Sequence, residues 1–271
     1  MENKEERKVS IMGIVNLTGD SFYPGSRLLD THGGFDADLF RLQVGSMLLD
    51  GADILDLGAC STRPGSDPVS AGEEWRRLEP ALRIMASEYP GTRLSVDTFR
   101  PEIVSRAFDI VGPFIVNDVS GGSEEMWRLV GGLGLTYVAM HTRGTPKDMQ
   151  SLTDYDDVVS AVTGFFRDIA SEADAHGVNE WILDPGFGFA KTVEQNWQLL
   201  REIAVFKEFG RPVLAGLSRK SFLYKPLGIT PDEALPATCV ANFIALRGGA
   251  DILRVHDVKE ALRTVKIYRM L

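Results

Sequence analysis

Two aspartates close short apolar runs. Asp97 follows Arg93-Leu94-Ser95-Val96, and Asp184 follows Ile182-Leu183 and precedes Pro185-Gly186-Phe187-Gly188-Phe189. A carboxylate at the end of a buried strand is costly to desolvate without partners, so each is an ion pair, a cap on the next helix or a ligand group. A carboxylate can accept two hydrogen bonds side by side from an amino group and an adjacent ring N–H, so two of them suit the guanidine-like edge of a heterocycle. Arg254-Val255-His256 is the complementary signal. Strand geometry puts both bases on one side, and two bases at the mouth of a site imply an anion, most simply a phosphate. Ser218-Arg219-Lys220-Ser221 opens a predicted helix, where backbone N–H groups and cations hold an anion or form only a solvated charge pair. Asn16 ends the first apolar run and is a candidate oxygen ligand for a magnesium ion bridging phosphate oxygens.

Other signals are weaker. The stretches Asn16-Leu17-Thr18-Gly19-Asp20-Ser21-Phe22 and Ser61-Thr62-Arg63-Pro64-Gly65 are turn-rich loops that, seen alone, read as ordinary surface excursions. Phe187 and Phe189 are core residues by habit, but a glycine-flanked loop also lets such rings pack on a flat ligand. His141 follows a strand-like run, where a lone histidine is more often structural than catalytic.

The elements that must position these groups repeat one sentence: an apolar run, a polar residue at its end, a loop, then helical spacing. Eight runs read as strands: Val9 to Asn16, Ala52 to Gly58, Arg93 to Thr98, Phe114 to Ser120, Thr136 to His141, Trp181 to Pro185, Pro212 to Ser218 and Asp251 to His256. Helical spacing between them includes Phe35, Leu39 and Leu42, and Val158, Val162, Phe165, Phe166 and Ile169. Thr192 with Gln195 and Asp257 with Glu260 stand at capping-box spacing, and Pro101 suits a first helical turn. Such alternation builds a closed barrel or an open doubly wound sheet. The count of eight favours closure, and no Gly-x-Gly-x-x-Gly follows the first strand. The expectation is a single (β/α)8 TIM barrel over residues 1–271, with its ligand site at the C-terminal rim of the strands.

At 271 residues and 44% hydrophobic the chain can bury a barrel-sized core. A net charge of −9 argues against nucleic acid as partner, because duplex binding needs a clustered basic surface. Residues 1–8 lack the apolar core of a secretory signal, and no apolar run approaches membrane-spanning length. Two cysteines, Cys60 and Cys239, are too few to staple the domain, which fits a reducing cytoplasm. The histidines His32, His141, His176 and His256 form no zinc-type pair.

Taken together, the two loop stretches, Ser95-Val96-Asp97-Thr98, Asn117-Asp118, Met140-His141, the Asp184 to Phe189 stretch, Ser218-Arg219-Lys220-Ser221 and Arg254-Val255-His256-Asp257 resemble dihydropteroate synthases, in family order over nearly the whole chain. The resemblance implies that 7,8-dihydropterin-6-ylmethyl diphosphate and p-aminobenzoate condense to 7,8-dihydropteroate and pyrophosphate, with magnesium, in a cytoplasmic homodimer that sulfonamides target. It implies that Asp97, Asn117, Asp184 and Lys220 hold the pterin, and that Asn16, Thr62, Arg254 and His256 hold the diphosphate, with Asn16 as the metal ligand. Thr62, Arg63, Pro64, Phe189 and Ser221 would form the p-aminobenzoate site. The catalytic group would be Asp97, Lys220, Arg254 and His256. The carbon–oxygen bond would break early, with Asp97 stabilising the pterin cation. Two departures stand out: Gly19 where the family commonly has proline, and Cys60 where it often has glutamate. The rivals are a pterin-binding methyltransferase serving a corrinoid protein, which has no use for a diphosphate clamp, and a silent pterin-binding barrel.

Overall fold

Eight parallel strands alternate with helices in the computed structural model, which describes residues 8–18, 35–61, 66 and 69–271. The chain runs β1 (Ser10–Asn16), α1 (Ala37–Leu49), β2 (Ile54–Gly58), α2 (Ala71–Glu88), β3 (Arg93–Asp97), α3 (Pro101–Val111), β4 (Ile115–Asp118), α4 (Glu124–Leu133), β5 (Thr136–Met140) and α5 (Val158–His176). It continues through β6 (Trp181–Asp184), α6 (Val193–Arg201), β7 (Leu214–Ala215), α7 (Ser221–Tyr224), α8 (Leu235–Arg247), β8 (Ile252–Val255) and α9 (Val258–Arg269). The strands pair in the order β6-β5-β4-β3-β2-β1-β8-β7. A single parallel bridge between Leu183 and Val213, with Leu183 N donating to the Pro212 carbonyl at 2.9 Å, joins the two ends. The expected (β/α)8 barrel is the one observed, with the strands where the apolar runs predicted them.

Strand periodicity builds the interior in layers. Met12, Ile54, Ile115, Val138, Ile182, Leu214 and Ile252, one from each of seven strands, form a buried apolar cluster of their own. This cluster is the floor of the lumen. Two residues further along those strands stand Ile14, Asp56, Asn117, Met140, Asp184, Gly216 and Arg254, so the same face turns polar one layer higher. The alternate strand residues, among them Val15, Leu57, Val96, Val116, Ala139 and Leu183, face outward into the larger core under the helices.

Three local expectations are corrected. In α1 the inner stripe is Phe40, Val44 and Met47 rather than Phe35, Leu39 and Leu42. Asp36 caps the helix by accepting from Leu39 N at 2.9 Å, so Phe35 precedes the helix, and Leu42 is 70% exposed. The seventh strand is only two residues long, because Gly216, a poor strand former, interrupts the run. Thr192 and Gln195 do form a reciprocal capping box, whereas Asp257 caps nothing with its side chain. Its carboxylate is taken by Arg219, whose Nε and Nη2 donate to it at 2.9 Å each.

Candidate functional site

Register brings the first chemical groups level. Asn16 lies opposite Gly58, Gly58 opposite Asp97, and Asp97 opposite Asn117, across β1 to β4. The absence of a side chain at Gly58 makes room: a Cβ there would stand 3.3 Å from Asp97 Cβ and 3.5 Å from its Oδ2. On the far side of the barrel Met140 lies opposite Asp184. One pocket above the apolar floor is lined by Asp97, Asn117, Val119, Met140, Asp184, Gly186, Phe187, Phe189, Gly216, Lys220 and Arg254. Residues between 97 and 254 in the sequence thus share one cavity. A second hollow, outside the barrel between α3 and α4, is lined by Pro101, Glu102, Ser105, Glu125, Arg128 and Leu129. None of the residues that the sequence singled out for chemistry lines it.

Asp56 organises the polar layer, and sequence reasoning missed it. It is fully buried. Its Oδ1 accepts from Ser95 Oγ at 2.6 Å, and its Oδ2 from Asn117 Nδ2 at 3.1 Å and Arg254 Nε at 2.7 Å. Arg254 Nη2 reaches Asp97 Oδ2 at 2.8 Å. Arg254 is therefore an internal bridge between two carboxylates, where the sequence suggested a partner for His256 at an anion site. The available signal was an aspartate in the middle of Ile54-Leu55-Asp56-Leu57, at the parity of a lumen-facing apolar residue.

Asp97 is left half satisfied. Its Oδ1 is buried and has no hydrogen-bond partner among the described residues. Burial pushes its pKa up to about 7 against the pull of the Arg254 guanidinium, and the neighbouring Asp56 charge pushes the same way as burial. Asp184 is also raised by burial, opposed by the Gly186 amide and by the Lys220 and Arg254 charges. Gly186 N donates to Asp184 Oδ1 at 2.8 Å, a local turn that aims the carboxylate. A buried carboxylate oxygen short of donors, as in Asp97, is a receptor for N–H groups.

The loop after β6 forms the pocket wall. Lys220 lies with its Nζ 4.2 Å from the centre of the Phe189 ring, a cation–π arrangement. Phe187 differs from Phe189: it is 1% exposed and stacks on Phe222 with 6.1 Å between ring centres, so it is mainly core. His256 is oriented by Ser218, whose Oγ lies 3.0 Å from its Nδ1. Ser221 opens α7, and Asn16 ends β1 half-buried. Asn16, Ser221 and His256 are not among the residues lining the pocket. His141 is buried and, with its pKa lowered to about 2 by burial and the nearby Lys191 and Arg143 charges, stays neutral. It is structural, as a lone strand-end histidine usually is. Thr62, Arg63 and Pro64, and the departure at Gly19, lie outside the described residues. Cys60 is buried, and burial raises its thiol pKa.

Three comparisons bear on this site. The family model described as pterin binding enzyme matches residues 12–256. The dihydropteroate synthase of Escherichia coli is 37% identical over 260 residues, covering 95% of this chain and 89% of that one. Among solved structures, that of Yersinia pestis dihydropteroate synthase with a sulfonamide drug complex superimposes with a TM-score of 0.90 at 33% identity, covering 97% of this chain and 94% of that one. The Thermus thermophilus enzyme in complex with 4-aminobenzoate gives 0.85 at 37%, covering 97% and 95%.

Proposed function

Because the chain belongs to the pterin binding enzyme family, we propose that its rim pocket carries out the dihydropteroate synthase reaction of folate synthesis with the residues assigned below. The enzyme joins a dihydropterin carried on a methyl diphosphate to p-aminobenzoate and releases pyrophosphate. The observation that carries the assignment is the convergence of Asp97, Asn117, Asp184, Lys220 and Arg254 on one pocket, with Asp97 Oδ1 buried and without a hydrogen-bond partner among the described residues. Asp97 and Asp184 accept the pterin's N–H groups, while Asn117 and Lys220 complete its ring of contacts. Phe189, Ser221, Thr62, Arg63 and Pro64 form the p-aminobenzoate site.

Departure of diphosphate leaves positive charge on the pterin methylene. Asp97 stabilises it with a charge fixed before the reaction begins. Arg254 supports that charge from behind, and with its Nε and Nη2 bonded to Asp56 and Asp97, Nη1 is the nitrogen it offers to phosphate. His256, held by Ser218, Asn16 and Thr62 meet the remaining phosphate oxygens. The amine then attacks beside Phe189, and no covalent enzyme intermediate is required.

Magnesium fits this donor set. Among the described residues no three of His, Cys, Asp and Glu gather as a metal cage, but magnesium usually keeps its waters and takes one or two protein oxygens beside substrate phosphates. Asn16, level with Asp97 in register, is the oxygen we assign to it. When bound, the ion neutralises charge developing on the leaving group. The chain acts on small molecules, and no described helix is long and apolar enough to cross a membrane. A cytoplasmic homodimer of one-domain barrels over residues 1–271 completes the reading, paired through α8 and α9, where Val240 and Ile267 are 61% and 56% exposed.

The test is pyrophosphate release by the purified protein. It should require the pterin diphosphate, p-aminobenzoate and magnesium together. No release with all three present, or methyl transfer from a methylated folate, would overturn the assignment in favour of the rivals.

A further inference from the structure

The loop at 185–190 is built from conformations that leave its carbonyls unpaired by any strand. Gly186 and Gly188 have φ of 69° and 83°, and Ala190, a non-glycine residue, has φ of 48°. Three left-handed residues in five turn the chain sharply, and carbonyls facing inward need donors. Lys191 supplies them. Its side chain is buried, and Nζ donates to the carbonyls of Gly186 at 3.0 Å, Phe189 at 2.9 Å and His141 at 3.3 Å. The same nitrogen lies 3.0 Å from His141 Nδ1. Two further side chains hold the loop from other elements: Asn196 Oδ1 accepts from Gly188 N at 2.6 Å, and Gln150 Nε2 donates to the Gly188 carbonyl at 3.2 Å.

We propose that Lys191 is a positioning residue for both substrates, its buried ammonium tying the 185–190 loop to the end of β5 so that Asp184 and Phe189 are set before either substrate arrives. The proposal rests on the functional reading above for what Asp184 and Phe189 touch. An ammonium has three N–H groups, shared here among three carbonyls and His141 Nδ1. Neutral His141 adds an acceptor and no competing charge. Burying a cation is expensive, and burial indeed lowers the Lys191 pKa to about 7. An apolar side chain would avoid that cost but remove the donor to the Phe189 and His141 carbonyls and leave the Gly186 carbonyl with only the Phe189 amide at 3.1 Å. Lys191 joins the two ends of the loop to the neighbouring strand, whereas Asn196 and Gln150 each meet it only at Gly188. Asp184, just before the loop, and Phe189, near its end, both line the pocket, so loosening the loop misplaces both.

The experiment uses the full chain with Lys191→Met, which keeps the stem and removes the donors. Two quantities are read: KM and kcat for each substrate, and amide exchange of the 185–190 segment in ligand-free protein by mass spectrometry. KM for both substrates should rise about tenfold to a hundredfold, the penalty of misplacement in a site, with faster exchange confined to the loop. Asp53→Ala is the control. It removes the acceptor that Ile11 N uses at 2.8 Å, at the ends of β1 and β2 opposite the rim, and should lower thermal stability without changing either readout. Unchanged KM values would overturn the proposal, as would raised KM values with unchanged loop exchange. If both Lys191→Met and Lys191→Gln fail to fold, Lys191 is a residue of the fold and the proposal is also lost. Absence of pyrophosphate release by the unaltered chain would instead sink the functional reading, and loop exchange would still report on Lys191.

Discussion

Asp97 has one oxygen on Arg254 and the other on no group among the described residues. Its pKa stands near 7 against an ordinary 3.8, chiefly because of burial. A group raised in this way binds a proton in the folded protein where the unfolded chain has lost it, so its contribution to stability is present at low pH and fades as pH rises between those values. Pterin N–H donors favour the ionised form and reverse the preference. Binding of a pterin lacking the diphosphate should therefore release up to one proton near pH 6.5, and affinity should fall as the solution is acidified below about 7. Calorimetry in two buffers of different protonation enthalpy measures this directly. A proton count of zero would mean that Asp97 is already ionised by Arg254. Using a ligand without phosphate keeps phosphate titration out of the result.

At the scale of elements, the loop after β6 shows how tightly the rim is built. A Cβ on Gly186 would come within 1.9 Å of the His141 carbonyl, at a φ of 69°. Gly186→Ala should therefore displace the loop, with loss of pterin binding in the same calorimetric titration and a lower thermal midpoint. The strands themselves were legible because each is an apolar run of strand length, most of them followed by a polar residue at the rim. The end residues Asp97, Asn117 and Asp184 proved to share a pocket for the same reason, since parallel strands of similar length finish at one rim. Asp56 and Lys191 were not legible. Their roles depend on partners 198 residues away for Asp56 and 50 residues away for Lys191, and nothing in Ile54-Leu55-Asp56 or Ala190-Lys191 announces those partners. The partners of Arg219 were not legible for the same cause. Beside Lys220 it reads as part of an anion site or as a solvated charge pair, and in the structure its guanidinium also donates to the carbonyls of Pro231 and Asp232, so it ties loops together.

For the molecule as a whole, the apolar exposure falls unevenly. Val240 and Ile244 on α8, Ile267 on α9 and the terminal Met270 and Leu271 are exposed, as are Leu42 and Leu49 on α1 and Leu227, although a chain of this size buries most such side chains. If α8 and α9 form the homodimer contact, sedimentation should find a dimer, and Val240→Lys with Ile244→Lys should yield a monomer. A sedimentation profile unaffected by both substitutions would move the contact elsewhere. The barrel is also unequal around its circumference. β1 and β2 pair over five residues, whereas β6 and β7 meet through a single bridge at Leu183 and Val213. Opening is easiest where fewest hydrogen bonds must break. That seam separates the strand carrying Asp184 from the one leading to Lys220, so gentle heating would part the two halves of the pterin grip while most of the helices still stood. Catalytic failure would then run ahead of melting, and a filled pocket, spanning the gap like a clasp, would delay both.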